Sequence, residues 1–242
     1  MIITNNHVIE KCDKLRTTIS FIEHGREDQL KDDLSGIAVE HIEIEIPLDN
    51  QYVVRHPNSE VDLCVISIGT ATSVLIGEGQ MRHVFLNEGW FPSPDIQSHL
   101  TPIERIVMVG YPTGIWDQEN NLPVIRNGLT ATHPLVRMNG LDQFAIDAAC
   151  FPGSSGSPVF LYEDGWVRVG GNSYSPGSRA CLLGVLWGGP QMTVQGTMKA
   201  MPINTGGDFI PQINTMLNLG YVISYRSIVE IIDHLHKIAE GD

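Results

Sequence analysis

The sequence predicts an all-β protein with two β units, a connecting segment and a C-terminal α-helix. Short apolar runs recur through most of the 242 residues, with Gly, Pro, Asn and Asp between them, and this is the usual residue chemistry of turns between strands. The chain contains 24 Gly and 14 Pro, more than a globular chain of this length usually has. The apolar spacing changes to a helical period only beyond Tyr225.

Nine runs are predicted strands because each combines apolar and β-branched residues and is bounded by turn residues. These runs are Thr17–Ile22, Val39–Ile46, Leu63–Ile68, Arg82–Leu86, Ile103–Val109, Val124–Leu129, Gln143–Ala148, Pro158–Tyr162 and Leu182–Trp187. Apolar and acidic residues alternate strictly from Ile42 to Ile46. We therefore expect Glu43 and Glu45 to face water on a half-buried strand.

A proline-rich stretch divides the chain. Residues 87–102 contain three prolines and little periodicity, so we interpret them as a linker with its centre near residue 95. Residues 1–95 are then expected to form the first β unit and residues 96–226 the second. Residues 227–242 are expected to form a helix that packs on both.

The final segment has one apolar face. Apolar residues occur there at the i, i+3, i+4, i+7 spacing of a helix; they are Ile228, Ile231, Ile232, Leu235, Ile238 and Ala239. Ser227 and Glu230 have the spacing of a capping box. Gly241 is expected to end the helix.

Composition and charge exclude two classes of partner. The chain has 15 Lys and Arg against 28 Asp and Glu, a formal net charge of −13. Binding to nucleic acid phosphates needs a basic surface, so we expect no nucleic-acid partner. No apolar run approaches the roughly 18–20 residues of a membrane span, so we expect no membrane partner either.

The four cysteines predict free thiols. Cys12, Cys64, Cys150 and Cys181 stand alone, without the paired Cys or Cys/His spacing of a zinc site. We therefore expect no metal, and we interpret all four as buried thiols in a reducing compartment. Met1 leads directly into a short apolar run without the basic segment and long apolar core of a signal peptide. The predicted location is cytoplasmic.

Three polar residues at the ends of predicted strands are candidates for catalysis. His7 follows a short apolar strand, Asp62 opens a buried strand, and Ser155 lies among small residues ahead of another strand. Gly153 allows the backbone to curl so that two N–H groups face a developing oxyanion. Taken alone, His7 and Asp62 are more typical of a structural role, and the serine segment resembles a generic tight loop.

Together these segments resemble the trypsin-like serine peptidases of the chymotrypsin fold, in particular their bacterial HtrA-like branch. That family has Thr-x-x-His at the end of one strand, Asp-Leu-Ala-like residues at the start of another, and Gly-x-Ser-Gly-Gly-Pro before a third. The chain has Thr4–His7, Asp62–Cys64 and Gly153–Pro158 in the same order. Val107–Pro112 resembles the Gly-Tyr-Pro strand end of the family's second barrel, and Ile146–Ala149 resembles the strand that precedes its serine loop. The resemblance therefore covers nearly the whole chain.

The resemblance implies a two-barrel chymotrypsin-like fold with a C-terminal helix. Only six residues precede His7, so the first barrel is expected to be truncated at its N-terminus. The implied activity is that of a serine endopeptidase without a cofactor. In it His7 is the general base, Asp62 orients the imidazole, and Ser155 is the nucleophile. The backbone N–H groups of Gly153 and Ser155 form the implied oxyanion hole.

The resemblance also implies where a protein or peptide substrate binds. Ala149, six residues before the serine, matches the base of the family's S1 pocket. Trp187, Gly188 and Gly189 match the strand that forms the pocket wall. A neutral base with glycine in the wall implies an uncharged, apolar substrate residue.

Two residues of the serine segment depart from the family pattern. Ser154 stands where digestive trypsin-like enzymes have the Asp that pairs with a freshly cut N-terminus, so we expect no activation of that kind. Ser157 replaces the second Gly of the Gly-Gly pair. We expect it to be tolerated because it is small.

The same residues bear on two other classes of function. An α/β-hydrolase requires Gly-x-Ser-x-Gly at a strand-to-helix turn, with the acid and the histidine after the serine. Here a strand follows, and His7 and Asp62 precede Ser155, which excludes that class. A catalytically inactive relative that binds peptides or partners stays open beside the favoured interpretation, an intracellular regulatory or quality-control peptidase. The sequence leaves substrate, trigger and oligomeric state undetermined.

Overall fold

The computed structural model describes residues 1–23, 40–69, 79–81, 85–170, 173–195 and 212–241, and strands dominate them. The strands are β1 Ile2–Thr4, β2 Lys14–Glu23, β3 Glu40–Pro47, β4 Val53–Arg55, β5 Cys64–Ile66, β6 Gly79–Met81, β7 Arg105–Gly110, β8 Val124–Thr130, β9 Gln143–Asp147, β10 Pro158–Gly170, β11 Ser173–Gly188, β12 Gln191–Gln195, β13 Gln212–Met216 and β14 Leu219–Ser224. The helices are Asn6–Ile9, Pro94–His99 and Tyr225–Glu240, with single 3-10 turns at Glu88–Trp90 and Pro112–Gly114. The predicted all-β fold class is confirmed. In the described part of the chain, no helix has both the length and the apolar character needed to cross a membrane.

The second half of the chain forms a closed antiparallel barrel. Its strand order is β10, β11, β14, β9, β8 and β7, and β7 pairs with β10 to close the ring. The largest side chains in the barrel interior are fully buried; they are Phe144, Ile106, Met108, Ile146, Leu161, Leu183 and Leu186. This packed core gives the loop between β9 and β10 a rigid base.

The first half contains two three-stranded sheets. One has the order β1, β5, β4 and the other the order β3, β2, β6. In the first sheet Thr4 lies opposite Cys64. The end of β1 and the start of β5 are therefore neighbours, which brings the residues just beyond them together. In β3, Glu43 and Glu45 are exposed, as the alternating pattern predicts.

An apolar cluster joins the two halves to the C-terminal helix. Leu63 and Val65 of the first half pack with Val185 of the barrel and with Ile228 and Ile231 of the helix. Burial of such side chains stabilises the folded state by about 1.5–3 kcal/mol each. The cluster lies directly behind Asp62, so the helix helps to fix the first half against the barrel.

The C-terminal helix begins two residues earlier than predicted. Ser224, not Ser227, is the N-cap, and its side chain accepts a hydrogen bond from the Arg226 N–H. Ser227 is completely buried within the first turn, so the predicted capping box is wrong. The reason is that β14 ends at Ser224, whose extended backbone already makes the turn into the helix. Gly241 ends the helix in the left-handed conformation, as predicted.

The segment interpreted as a linker is structured. Pro94 begins a helix, and the Ser93 hydroxyl caps it by accepting from the Ile96 N–H at 3.3 Å. The interpretation as a linker failed because proline lacks only an N–H that the first helical turn leaves unpaired in any case. Trp90 packs edge-on against Phe160 with ring centroids 5.8 Å apart, so this segment is attached to the barrel. The division of the chain near residue 95 stays a prediction.

Predicted strand ends differ most where strands contain turn residues. Strands β10 and β11 run through Gly165 and Pro176 and form one long ribbon, although both residues predict a turn. Strand β14 is not among the predicted strands, because Asn218 just before it and Gly220 within it are turn residues. A Cβ at Gly220 would lie 2.6 Å from Cys150 Sγ, so packing demands glycine there. The predicted strand Arg82–Leu86 falls partly outside the described residues, at 82–84.

All four cysteines are free, but they are not all buried. Cys64, Cys150 and Cys181 are buried, whereas Cys12 is exposed. The prediction of four buried thiols is therefore wrong for Cys12. This residue follows the helix Asn6–Ile9 on the surface, where its Sγ reaches only the Val8 carbonyl, at 3.9 Å.

Candidate active site

His7 projects from a one-turn helix that starts immediately after β1. The helix Asn6–Ile9 follows Asn5, whose extended backbone turns the chain out of the strand. The His7 side chain is 45% exposed, which leaves the imidazole accessible to a substrate. Its neighbours Asn5 and Asn6 donate side-chain hydrogen bonds to the Asp62 carbonyl at 2.8 Å and the Leu63 carbonyl at 3.2 Å. The two asparagines thereby attach the histidine turn to the segment that precedes β5.

Asp62 binds His7 through both carboxylate oxygens. Oδ1 accepts from the His7 backbone N–H at 3.1 Å, and Oδ2 contacts the His7 Nδ1. A carboxylate in this position fixes the tautomer that carries a proton on Nδ1 and stabilises the imidazolium form. The pair therefore leaves Nε2 without a proton, so this nitrogen can accept one.

Ser155 completes the arrangement from the second barrel. It lies in residues 148–157, the serine loop, which connects β9 to β10. Its Oγ is 3.1 Å from His7 Nε2 and 3.2 Å from the Trp187 carbonyl oxygen. The structure therefore brings together the three residues that the sequence singled out, in the order carboxylate, imidazole, hydroxyl.

The backbone of the serine loop leaves two N–H groups without partners. Gly153 has φ +81°, in the left-handed region that favours glycine. The preceding Pro152 carbonyl accepts from the Thr113 N–H at 2.8 Å. Because C=O and N–H of a trans peptide point in opposite directions, the Gly153 N–H points away from Thr113. Among the described residues, neither this N–H nor that of Ser155 has a hydrogen-bond partner.

Close approach of the two halves explains the glycine after the nucleophile. Gly156 has φ +86°, and a Cβ there would lie 2.7 Å from Thr4 Oγ1. Its N–H donates to the Leu186 carbonyl at 2.8 Å. Gly156 thus allows the serine loop to contact β1 and β11 at once, which sets the separation between Ser155 and His7.

Ser157 is accommodated by a glycine on β7. Ser157 is 5% exposed, and a Cβ at Gly110 would lie 2.1 Å from its Oγ. Gly110 belongs to the Val107–Pro112 segment that carries the family resemblance, but its partner was not evident from the sequence. The space that a side chain would occupy at Gly110 is filled by the Ser157 hydroxyl.

The predicted substrate-binding residues lie near the serine, in different orientations. The Trp187 carbonyl faces Ser155, whereas its indole Nε1 donates to Gln143 Oε1 at 2.9 Å. Trp187 and Asp62 both line a cavity of about 180 Å³. Gly188 lies opposite Tyr221 in the barrel, and the Ala149 carbonyl accepts from Arg126 Nη1 at 2.6 Å. Ala149, Gly188 and Gly189 are not among the residues that line this cavity.

Arg126 and Thr113 were missed by sequence reasoning. Arg126 lies under the serine loop, and burial lowers the pKa of its guanidinium. Thr113 has φ +50°, which is unusual for a β-branched residue. Neither position carries a local signal, because both act through residues 23 or more positions away along the chain. The Asn5-Asn6 pair had a signal, two amides between a strand and His7, but no role was assigned to it.

The described residues do not bring three His, Cys, Asp or Glu side chains together in a group able to hold a metal ion. An imidazole bonded to a carboxylate on one side and to a hydroxyl on the other can remove the hydroxyl proton. Two unpaired N–H groups near that hydroxyl can stabilise an oxyanion.

Comparison with known families agrees with this geometry. The model of the trypsin-like peptidase domain family matches residues 1–170. The match includes both sheets of the first half, the serine loop and strand β10. A comparison with curated proteins found no match.

Proposed function

The chain belongs to the trypsin-like peptidase domain family, and on that premise we propose that it is a serine endopeptidase acting through His7, Asp62 and Ser155. One observation carries the proposal. His7 Nε2 and Ser155 Oγ are 3.1 Å apart although the residues are 148 positions apart in the sequence. This distance is that of a nucleophile and its general base.

The first step forms a tetrahedral intermediate on Ser155. Ser155 Oγ attacks the carbonyl carbon of the scissile peptide bond while His7 Nε2 takes the hydroxyl proton. Asp62 holds the Nδ1–H and stabilises the imidazolium. The carbonyl electrons move to oxygen, and the N–H groups of Gly153 and Ser155 donate to this oxyanion.

The later steps return the enzyme to its starting state. The oxyanion collapses, the peptide C–N bond breaks, and the leaving amine takes the proton from His7 Nε2. Water then attacks the ester on Ser155 with His7 again as base, and the acid product leaves as Ser155 regains its proton. Preorganised oxyanion donors of this kind contribute about 2.7–4 kcal/mol each to transition-state stabilisation.

The proposal also includes the substrate preference and the cellular location of the protein. Substrates are proteins or peptides with an uncharged, apolar residue before the scissile bond, bound by Ala149, Trp187, Gly188 and Gly189. The Trp187 carbonyl lies 3.2 Å from Ser155 Oγ, which supports a role for Trp187 beside the scissile bond. Four free thiols support a reducing, cytoplasmic location and an intracellular regulatory or quality-control role.

Active-site labelling tests the proposal. A fluorophosphonate probe should modify Ser155 in the parent chain, because the reagent requires a serine activated by a base and an oxyanion hole. Ser155→Ala should abolish labelling and reduce turnover of a cleaved peptide by a factor on the order of 10⁴–10⁶, since the three residues act as a unit. The matched control is Ser178→Ala, an exposed serine of the β10–β11 ribbon, which should label like the parent.

The same experiment decides between enzyme and binding module. A folded parent chain that resists the probe and cleaves no member of a diverse peptide library contradicts the endopeptidase proposal. The alternative, a peptide-binding or partner-binding relative, then predicts that Ser155→Ala captures peptides as well as the parent does. Cleavage that survives Ser155→Ala would show that another group is the nucleophile.

A further inference from the structure

Arg126 connects two points of the serine loop to the barrel. It lies on β8, next to the loop, and its Nη1 donates to the Ala149 carbonyl at 2.6 Å and to Ser154 Oγ at 3.0 Å. Ala149 lies near the start of the loop, and Ser154 directly precedes Ser155. A single guanidinium nitrogen therefore ties together the two ends of the segment that contains Gly153.

These contacts involve a charged group without a charged partner. Among the described residues, both acceptors of Arg126 are uncharged oxygens, and its Nε and Nη2 are buried without a hydrogen-bond partner. Burying a cation without a carboxylate costs free energy that an apolar side chain of similar size would not cost. Filling space is thus a poor explanation for arginine here. Its Nη1, which donates to two loop oxygens, is the feature that an apolar residue cannot replace.

Fixing Ser154 fixes the backbone on either side of it. Ser154 is 1% exposed, its N–H donates to the Phe151 carbonyl at 3.0 Å, and its carbonyl accepts from the Ser157 N–H at 3.1 Å. Gly153 and Ser155 are the residues directly before and after Ser154, so these hydrogen bonds also hold their N–H groups in place. An oxyanion hole works only when its donors are about 2.7–3.1 Å from the oxyanion, so a loop displacement of about 1 Å removes its effect.

We propose that Arg126 is a positioning residue for peptide hydrolysis, one that holds the serine loop in the conformation in which the N–H groups of Gly153 and Ser155 meet the oxyanion. It does not touch the reacting atoms. The Arg126 guanidinium that orders the loop belongs to strand β8 of the barrel. The loop is therefore ordered without cleavage of the chain. The inference rests on the proposed function, because an ordered oxyanion hole has a purpose only in acyl transfer.

Replacement of Arg126 tests the role through the separation of kcat from KM. Arg126→Met should lower kcat by a factor on the order of 10²–10³, comparable to loss of an oxyanion donor, and change KM less than about threefold. Arg126→Lys should retain more activity than Arg126→Met, because an ammonium keeps the charge and can donate to the loop oxygens, although from a shorter side chain. Guanidinium ion at tens of millimolar should restore part of the activity of Arg126→Ala.

Arg179→Met is the matched control. Arg179 is a second buried arginine of the same barrel, bound to Glu163 at 2.6 Å and to Glu104 at 3.3 Å. Its loss should lower the thermal midpoint and leave kcat unchanged. If Arg126→Met keeps the parent kcat, or loses only what Arg179→Met loses, the proposal is wrong. If Arg126→Met does not fold, the kcat of Arg126→Lys and the rescue of Arg126→Ala by guanidinium ion test the proposal in its place.

Hydrogen exchange separates this inference from the proposed function. The Ser154 and Ser157 amides donate within the serine loop, so both should exchange faster in Arg126→Lys and Arg126→Met than in the parent and in Arg179→Met. A parent without Ser155-dependent hydrolysis contradicts the proposed function, and the exchange rates still report on Arg126. Unchanged exchange at both amides contradicts the role of Arg126 even in an active enzyme.

Discussion

At the scale of single residues, burial determines which groups can react. The four thiols are chemically equal in the unfolded chain, but folding exposes Cys12 and buries the other three. Burial raises the pKa of Cys64 to about 11 and that of Cys181 to about 12, and it raises the pKa of Cys150 as well. In the native protein these three thiols are therefore neutral and unreactive, whereas Ser155 and His7 remain open to substrate.

The raised thiol pKa values predict a loss of stability in alkaline solution. Above pH 9, the ordinary thiol value, Cys64 and Cys181 release protons in the unfolded chain and keep them in the native one until about pH 11 and 12. The native state then binds more protons, so the free energy of unfolding falls as the pH rises through this window. Urea unfolding at pH 7 to 11 measures the decline.

Variants of single cysteines provide the control for that prediction. Cys64→Ala and Cys181→Ala should each show a shallower decline above pH 9, while Cys12→Ser should follow the parent, because Cys12 is exposed. In the native protein at neutral pH, a thiol reagent should titrate one cysteine, and four after denaturation. A decline that is identical in all variants would mean that other groups cause it.

At the scale of elements, the serine loop is held by its neighbours more than by its own bonds. Gly156 approaches Thr4 of β1, and the Pro152 carbonyl accepts from the Thr113 N–H in the 3-10 turn that follows β7. Ser157 occupies the space left by Gly110 of β7. Its divergence from the family pattern is thus compensated by a residue 47 positions earlier in the sequence, in a different strand.

The contact between Gly110 and Ser157 predicts that substitutions at these two positions have coupled effects on the free energy of unfolding. Gly110→Ala would place a methyl group 2.1 Å from Ser157 Oγ, and overpacking of this kind destabilises by about 1–3 kcal/mol. Ser157→Gly should restore most of that loss, because the next contact of the new methyl group is Arg126 Nη2 at 3.8 Å. Urea unfolding of both single variants and the double variant gives the coupling energy. Additive losses would contradict the argument.

At the scale of the whole molecule, the catalytic groups depend on docking between separate parts. His7 follows β1 and Asp62 precedes β5 of one sheet, whereas Ser155 lies in a loop of the barrel. The apolar cluster that contains Leu63 and Ile231 joins these parts behind Asp62. Loss of this packing would separate the nucleophile from its base without changing either residue.

The C-terminal helix offers a direct test of that docking. Ile231 is fully buried, whereas Ile238 on the same helix is 51% exposed. Ile231→Ala should lower the free energy of unfolding by about 2–5 kcal/mol because it leaves a cavity. Ile238→Ala should change it by less than about 0.5 kcal/mol. Equal effects of the two substitutions would mean that the helix does not pack as described.

Local features of the sequence determined the fold class, the apolar face of the C-terminal helix and the identity of the candidate triad. Alternation in Ile42–Ile46 fixes which side of a strand faces water, because side chains alternate along any strand. His7, Asp62 and Ser155 are recognisable because each lies in a short motif at a strand end. Such signals need only the neighbouring residues, so a single sequence contains them in full.

Tertiary structure alone decided which residues support these groups. Arg126 meets Ser154 across 28 positions, and Gly220 of β14 is required by Cys150 in another strand. The glycines and prolines of the β10–β11 ribbon, and Pro94 at a helix start, predict turns or a linker locally, yet pairing and capping keep them in regular structure. The physical reason is that closure of the barrel brings together strands whose separation in the chain leaves no pattern in the sequence.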